Sequence, residues 1–281
     1  MSDFGTDADR RGPGRNALSF AGAAPKLSVM TIYAIPDIHG HLAQLEKALS
    51  RIEADGATSS DEVIFLGDYI DRGPRSDGVL NLLAQGQAEG RNWSFLMGNH
   101  DRMMLNYLTN GTDRDPATRM PWTHPRFGGA TFRAYGCPVE GGPRPEDLHR
   151  AFVEAVPQAH FDFLTTLPYA LERDGLLFVH AGVRPGLDLA DQAQDDLVWI
   201  RAEFLDHTDP HPWVVVHGHT ALPVPRHFGN HVDLDGGAAY GRELFPAAFD
   251  GDEVFLLTAT GRQRLDPAPL APDEAAPWAA P

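Results

Sequence analysis

Four apolar residues, Val63-Ile64-Phe65-Leu66, run directly into Gly67-Asp68-Tyr69-Ile70-Asp71-Arg72-Gly73. The apolar run reads as a buried strand, and the turn after it holds two carboxylates and a guanidinium. Charges crowded at the end of such a strand are costly unless a metal or an anion compensates them. The flanking glycines let the backbone turn sharply and come close to a bound species. A chain with this feature has to build a sheet whose strand ends converge on a charged site.

Four further stretches share the design. Thr31-Ile32-Tyr33-Ala34-Ile35 leads into Pro36-Asp37-Ile38-His39-Gly40, and Trp93-Ser94-Phe95-Leu96-Met97 into Gly98-Asn99-His100-Asp101. Leu176-Leu177-Phe178-Val179 ends in His180-Ala181-Gly182, and Trp213-Val214-Val215-Val216-His217 in Gly218-His219-Thr220. Leu42, Leu45, Leu49 and Ile52 recur at helical spacing and predict a helix from about His41 to Glu53; Asp77 to about Gln85 predicts a second. Strand, polar loop and helix in repetition mark an α/β sheet with its chemistry at the carboxyl ends of the strands. His231–Asp235 and Glu253–Thr258 are expected as late strands of a second sheet. Between 102 and 171, prolines 116, 121, 125, 138, 143 and 145 and scattered aromatics predict a helical and loop insertion, a cap beside the site.

The formal charge is −16, which opposes loose binding to nucleic acid or to an anionic membrane. No basic stripe interleaved with aromatics offsets it. Phosphate chemistry on such a chain needs local positive charge from metals or arginines. The single cysteine, Cys137, excludes an internal disulfide and suits a reducing, cytoplasmic setting, where it reads as a small buried filler. No apolar run approaches the ~18 residues of a membrane helix. Arg10-Arg11 ahead of Ala17–Ala24 faintly resembles an export signal, but Gly22 and Pro25-Lys26 break it. The expected organisation is a disordered extension over 1–29, one catalytic domain over 30–265 and a disordered Pro/Ala-rich acidic tail over 266–281, with Met30 an alternative start.

Just past the strands stand Asp37 and His39, Asp68, Asp71 and Arg72, Asn99 and His100, His180, and His219. This mixed N/O set suits Mn, Fe or Zn, whereas Mg or Ca alone would favour oxygen only. So many ligands for one centre point to two divalent metals.

In this order the five blocks resemble the calcineurin-like metallophosphoesterases, and within them the phosphoprotein phosphatases, which include serine/threonine phosphatases and bacterial relatives. The resemblance covers roughly 30–260 and implies a two-sheet β-sandwich flanked by helices. It assigns Asp37 and His39 to one metal, Asn99, His180 and His219 to the other, and Asp68 to both. A metal-bridging water would attack phosphorus, His100 would protonate the leaving oxygen with Asp71 orienting it, and Arg72 would grip phosphate oxygens, Asn99 lying beside them. Asp196-Leu197-Val198-Trp199-Ile200-Arg201 resembles the bacterial pattern around a second phosphate-binding arginine, here Arg201.

Each of these residues has a plainer reading. Asp71 could simply pair with Arg72, and Arg201 could be a surface arginine. His217 reads as a satisfied buried histidine, His41 as a helix start, and Trp199 and Trp213 as core. His124, His160, His207, His211, His227 and His231 read as surface or loop. Retention of Asp71 points to a phosphomonoesterase acting on phosphoserine or phosphothreonine, because symmetrical diadenosine tetraphosphate hydrolases tend to replace that residue. Such a hydrolase is the alternative, and a catalytically silent scaffold the remote one. Either activity implies a phosphorylated protein or a small phosphoester as partner.

Overall fold

The computed structural model describes residues 30–115, 121–125, 127–137 and 139–268. The expected N-terminal extension and most of the expected tail lie outside them. In chain order the elements are β1 (Ile32–Ile35), α1 (Leu42–Ala54), β2 (Glu62–Phe65), α2 (Ser76–Ala88), β3 (Trp93–Phe95) and α3 (Asn99–Asn110). Then come α4 (Gly129–Ala134), α5 (Pro145–Ala155), α6 (Gln158–Thr165), β4 (Ala170–Arg173), β5 (Leu176–Val179), α7 (Gln194–Trp199) and α8 (Ala202–Leu205). The chain continues with β6 (Val214–His217), β7 (Arg226–His227), β8 (His231–Asp233), β9 (Ala247–Asp250), β10 (Glu253–Thr258) and β11 (Gly261–Arg264).

Two mixed sheets result. The first has the order β11-β10-β9-β1-β2-β3 and the second β4-β5-β6-β8-β7. The strands β1, β2 and β3 pair in parallel, as do β5, β6 and β8. Their continuous apolar runs follow from burial on both faces. Along β1, Ile32 and Ala34 pack between the sheets with Ile64, Phe178, Val216 and Val232, while Tyr33 and Ile35 face α1 and α2 through Leu45, Leu80 and Leu83. The outer face of the second sheet carries Leu177, Val179 and Val215 against Leu197, Phe204 and Leu205. The molecule is therefore a four-layer α/β/β/α sandwich, with the polar loops of β1, β2, β3, β5 and β6 at one edge.

Some expectations shift. Glu253–Thr258 belongs to the first sheet: β10 pairs with β9, and β9 closes antiparallel on β1. The tail does not begin cleanly at 266, because Ala268 N–H donates to the His227 carbonyl at 2.7 Å. The 102–171 insertion is helical, but Trp122, Phe132, Phe152 and Phe163 share one core with β1 and β2. Its helices thus form an outer layer continuous with α1 and α2.

Three histidines read as surface or loop are buried instead. His160 on α6 meets the Tyr135 hydroxyl at 2.7 Å. His227 and His231 lie on β7 and β8, and His231 meets His217 at 2.8 Å between Nδ1 and Nε2. His217 Nδ1–H donates to the Gly218 carbonyl at 3.0 Å, which in a neutral ring leaves Nε2 to accept from His231 Nδ1–H. Burial makes neutral His217 the favoured form. Burial lowers His217 from 6.5 to about 4, and burial beside His217 pushes His231 down as well. A base depressed in the folded state binds fewer protons there than when unfolded, so stability drops as pH falls below 6.5 and the loss levels off beneath about 4. His217 alone should cost about 2 kcal/mol between pH 6.5 and 5. Urea midpoints across that window test this, and His217→Gln should show a shallower pH slope. Parallel slopes for the two proteins would refute the assignment.

Candidate metal centre

The loop after β1 is laid on the loop after β2 by backbone bonds. Ile38 and His39 N–H both donate to the Asp68 carbonyl, at 3.0 and 2.8 Å, and Gly73 N–H donates to the His39 carbonyl at 2.8 Å. These loops are strained. Among the described residues, five of the six non-glycine positive φ values belong to His39 (48°), Asp68 (50°), Asp71 (72°), Arg72 (64°) and His219 (66°). Left-handed backbone at bulky or charged residues is unfavourable and gathers where function over-determines it. Close approach accounts for one glycine: a Cβ on Gly98 would lie 2.2 Å from Asp68 N and 2.3 Å from its carboxylate.

The side chains converge as the spacing implies. His39 Nε2 lies 3.4 Å from Asp68 Oδ2 and 3.8 Å from Asp37 Oδ2. His180 Nε2 lies 3.5 Å from Asp68 Oδ1 and 2.9 Å from Asn99 Oδ1. Two groups of candidate donors form, His39–Asp68–His100 and Asp68–His180–His219, and they share Asp68. Asp37 sits at the margin, with its Oδ1 accepting His219 N–H at 3.0 Å. All of these residues are buried.

The donor chemistry fits cations. The other ring nitrogens of His39 and His180, both Nδ1, contact the Ile70 and Leu66 carbonyls at 2.8 and 2.9 Å and so carry the protons. That leaves each Nε2 lone pair facing carboxylate or amide oxygen, an arrangement that is repulsive unless a cation lies between them. His219 Nε2 is buried with no hydrogen-bond partner among the described residues. The electrostatics agree. Burial and the neighbouring Asp235 and Asp68 push Asp37 well up. Burial would raise Asp68 too, but His180, His100, His39 and His219 hold it well down. Burial keeps His39 near 4 and lowers His180. Imidazoles depressed by burial beside an Asp68 held ionised are a ready metal-ligand set.

His100 stands differently. Its Nδ1–H donates to Asp71 Oδ2 at 2.5 Å. Asp71 is fully buried and also accepts Trp122 Nε1–H at 2.9 Å and the Thr131 hydroxyl at 2.5 Å. Burial opposes charge on His100, but Asp68 and the Asp71 bond outweigh it, and its pKa is raised. Arg72 and Arg201 are solvent-exposed and line a cleft of about 220 Å³ with His39, Asp68, Asn99 and His219. Arg201 Nη1–H donates to the Thr220 hydroxyl at 3.1 Å. Trp199, read as core, is partly buried against the main core and also forms part of the cleft wall, edge-on to His219 at 5.8 Å between ring centroids.

Several residues escape a reading by motif. Asp101 accepts Asp68, Tyr69 and Gly98 N–H at 2.7, 3.0 and 3.1 Å. Its carboxylate welds the loop after β2 to the start of α3. Asp235, which burial pushes up to about 6, lines the cleft near Asp37. Trp122 and Thr131 hold Asp71 from the helical insertion. The usable signal for Asp101 is its place directly after His100; the others carry none. Asp101→Ala would strand three backbone donors, at about 3 kcal/mol or more in total. A loss of roughly 10 °C in Tm is expected, with Asp101→Asn milder because its amide oxygen still accepts. Equal melting of Asp101→Ala and the parent would rule out this role.

Residues 30–243 match the family of calcineurin-like phosphoesterases. The chain belongs to that family. It is 31% identical over 156 residues to a symmetrical bis(5'-nucleosyl)-tetraphosphatase of Janthinobacterium sp. (strain Marseille), covering 56% of this chain and 45% of that protein. The match thus spans less than half the length of that relative. An asymmetrical bis(5'-nucleosyl)-tetraphosphatase of Oceanobacillus iheyensis is 22% identical over 255 residues, covering 83% of this chain and 94% of that one. The crystal structure of a candidate diadenosine tetraphosphatase aligns over 83% of this chain and 95% of its own, with TM-score 0.59 at 20% identity, a likeness of fold. No helix among the described residues is long and apolar enough to cross a membrane.

Proposed function

We propose that this phosphoesterase hydrolyses a dinucleoside polyphosphate at a phosphoanhydride bond, using two divalent metals. The observation that carries the reading is the pair of donor groups hinged on Asp68, flanked by two exposed arginines in one cleft. His39 and Asp37 would hold one ion, Asn99, His180 and His219 the other, and Asp68 both; Mn, Fe and Zn all suit the N/O set. When bound, such ions supply Lewis acidity toward phosphoryl oxygens and acidify a coordinated water. Arg72 and Arg201 offer forked donors to a chain of phosphates, and neutralise charge that the chain's net −16 would otherwise repel. His100, protonated through its bond to Asp71, gives its Nε2 proton to the departing oxygen. The burial of His100 and of the candidate ligands lowers the local dielectric, which strengthens each of these contacts.

An acid at His100 held by Asp71 suits a phosphomonoester, since a serine or threonine alkoxide is a poor leaving group, but it also serves a phosphoanhydride. The pair does not discriminate between the two substrates. The relatives weigh toward the anhydride: both symmetrical and asymmetrical dinucleoside tetraphosphatases align with this chain. The deciding experiment compares kcat/KM of metal-stripped, Mn-reloaded enzyme on diadenosine tetraphosphate, a phosphothreonine peptide, a phosphotyrosine peptide and an aryl phosphate. The dinucleotide should lead by at least an order of magnitude, with the products, two ADP or AMP plus ATP, identifying the bond cut. A lead for either peptide would return the phosphoprotein reading to first place.

A further inference from the structure

Tyr240 is the most exposed large apolar side chain among the described residues, at 68%. It ends a single 3₁₀ turn, Ala238–Tyr240, bracketed by Gly237 and Gly241 at φ 86° and 79°. Left-handed backbone on both sides forces a tight loop, a conformation that glycine adopts without strain. The ring therefore projects from a tight turn. It also lines the cleft that holds Arg72, Arg201, His100 and His219.

An arginine lies alongside it. The Arg242 guanidinium carbon is 5.7 Å from the Tyr240 ring centroid. The Arg242 Nε is buried with no hydrogen-bond partner among the described residues, and a Cβ on Gly237 would fall 2.0 Å from an Nη of Arg242. The loop is thus packed directly over this guanidinium, which fixes the ring from one side. Phe127 lines the same cleft, with the Arg72 guanidinium carbon 5.8 Å from its centroid. The cleft therefore sets aromatic faces next to cationic groups suited to phosphate.

An aromatic ring held in water beside a phosphate site suits one ligand chemistry. A nucleobase attached to the phosphate through its ribose can stack on the ring, and every base offers a π-face. We infer that Tyr240 is the stacking platform for the nucleobase next to the scissile phosphates. The inference rests on the dinucleotide reading and deepens it by locating a base subsite. It makes the site selective for nucleotides over bare phosphates while leaving it tolerant of base identity, because no base-edge donor or acceptor is invoked.

The test measures inhibition of aryl phosphate hydrolysis by AMP, GMP and orthophosphate, so it does not depend on turnover of a dinucleotide. With the parent enzyme, AMP and GMP should bind about tenfold more tightly than orthophosphate. Tyr240→Phe should keep that margin, because stacking needs the ring and not the hydroxyl. Tyr240→Ala should bring the nucleotides' inhibition constants up to that of orthophosphate. If the parent shows no margin, or Tyr240→Ala retains it, the platform is disproved even should diadenosine tetraphosphate be a good substrate. A margin that disappears in Tyr240→Ala, in an enzyme that leaves diadenosine tetraphosphate intact, would establish the base subsite and overturn the proposed reaction.

Discussion

Asp68→Asn is expected to leave a folded protein that has lost most of its metal and at least about 10³-fold of its activity. The fold should survive because Asp68 Oδ1 accepts His100 N–H at 3.0 Å, a bond an amide oxygen can still accept. What disappears is the negative charge on which both donor groups hinge, 3.4 Å from His39 and 3.5 Å from His180. In its place an amide N–H₂ must face at least one imidazole lone pair. Metal content by plasma emission spectroscopy, kcat with Mn in excess and far-ultraviolet circular dichroism together check the result. A variant that keeps two metals per chain would contradict the shared role of Asp68.

His100→Asn should cut kcat by roughly 10²–10⁴ while the metals stay bound, since it removes proton donation alone. The size of the loss should follow the leaving group. A nitrophenolate and a nucleotide phosphate both depart with little help and should lose least; a serine alkoxide should lose most. The clustering of His100 with His39 and Asp68 gives the experiment a second arm. If the variant loses one metal per chain and shows a flat dependence on leaving group, His100 is a ligand and not the acid. Full turnover by the variant would exclude both roles.

Much of the fold is legible because burial on two faces writes long apolar runs. The strands β1, β2, β5 and β6 can each be read this way, together with the polar loop at each end. The strand β11, Gly-Arg-Gln-Arg, is exposed throughout and has no such signature. The strand β4, Ala-Leu-Glu-Arg, is half-exposed and equally silent. The sheet membership of β10 depends on β9 closing against β1, where Ile32 meets Phe249 from the far end of the domain, and no local pattern encodes such a contact.

In the site, residues clustered within one turn announce themselves, because so many charges beside a buried strand demand a compensating ion. Asp101 is harder to read, since the Asp68 and Tyr69 N–H groups it serves lie a strand and a helix upstream. Trp122 and Thr131 reach Asp71 across 51 and 60 residues. Tyr240 resembles any loop tyrosine until the cleft beside it is seen.

The hold of Trp122 and Thr131 on Asp71 has a consequence for how this enzyme can vary. An indole N–H and a hydroxyl drain electron density from the carboxylate that accepts His100 Nδ1–H, so the basicity of this imidazole is set partly by an insertion outside every motif. Weakening either bond, as in Trp122→Phe, makes Asp71 a better partner for the imidazolium. With His100 as the proposed acid, the alkaline limb of the activity profile should then move to higher pH, with inhibition by orthophosphate unchanged. Because Trp122 is itself sealed among Phe132, Phe152 and Tyr107, the insertion cannot lift away without breaking these bonds. Exchanging this segment between relatives would transplant a pH optimum, with every metal ligand left in place.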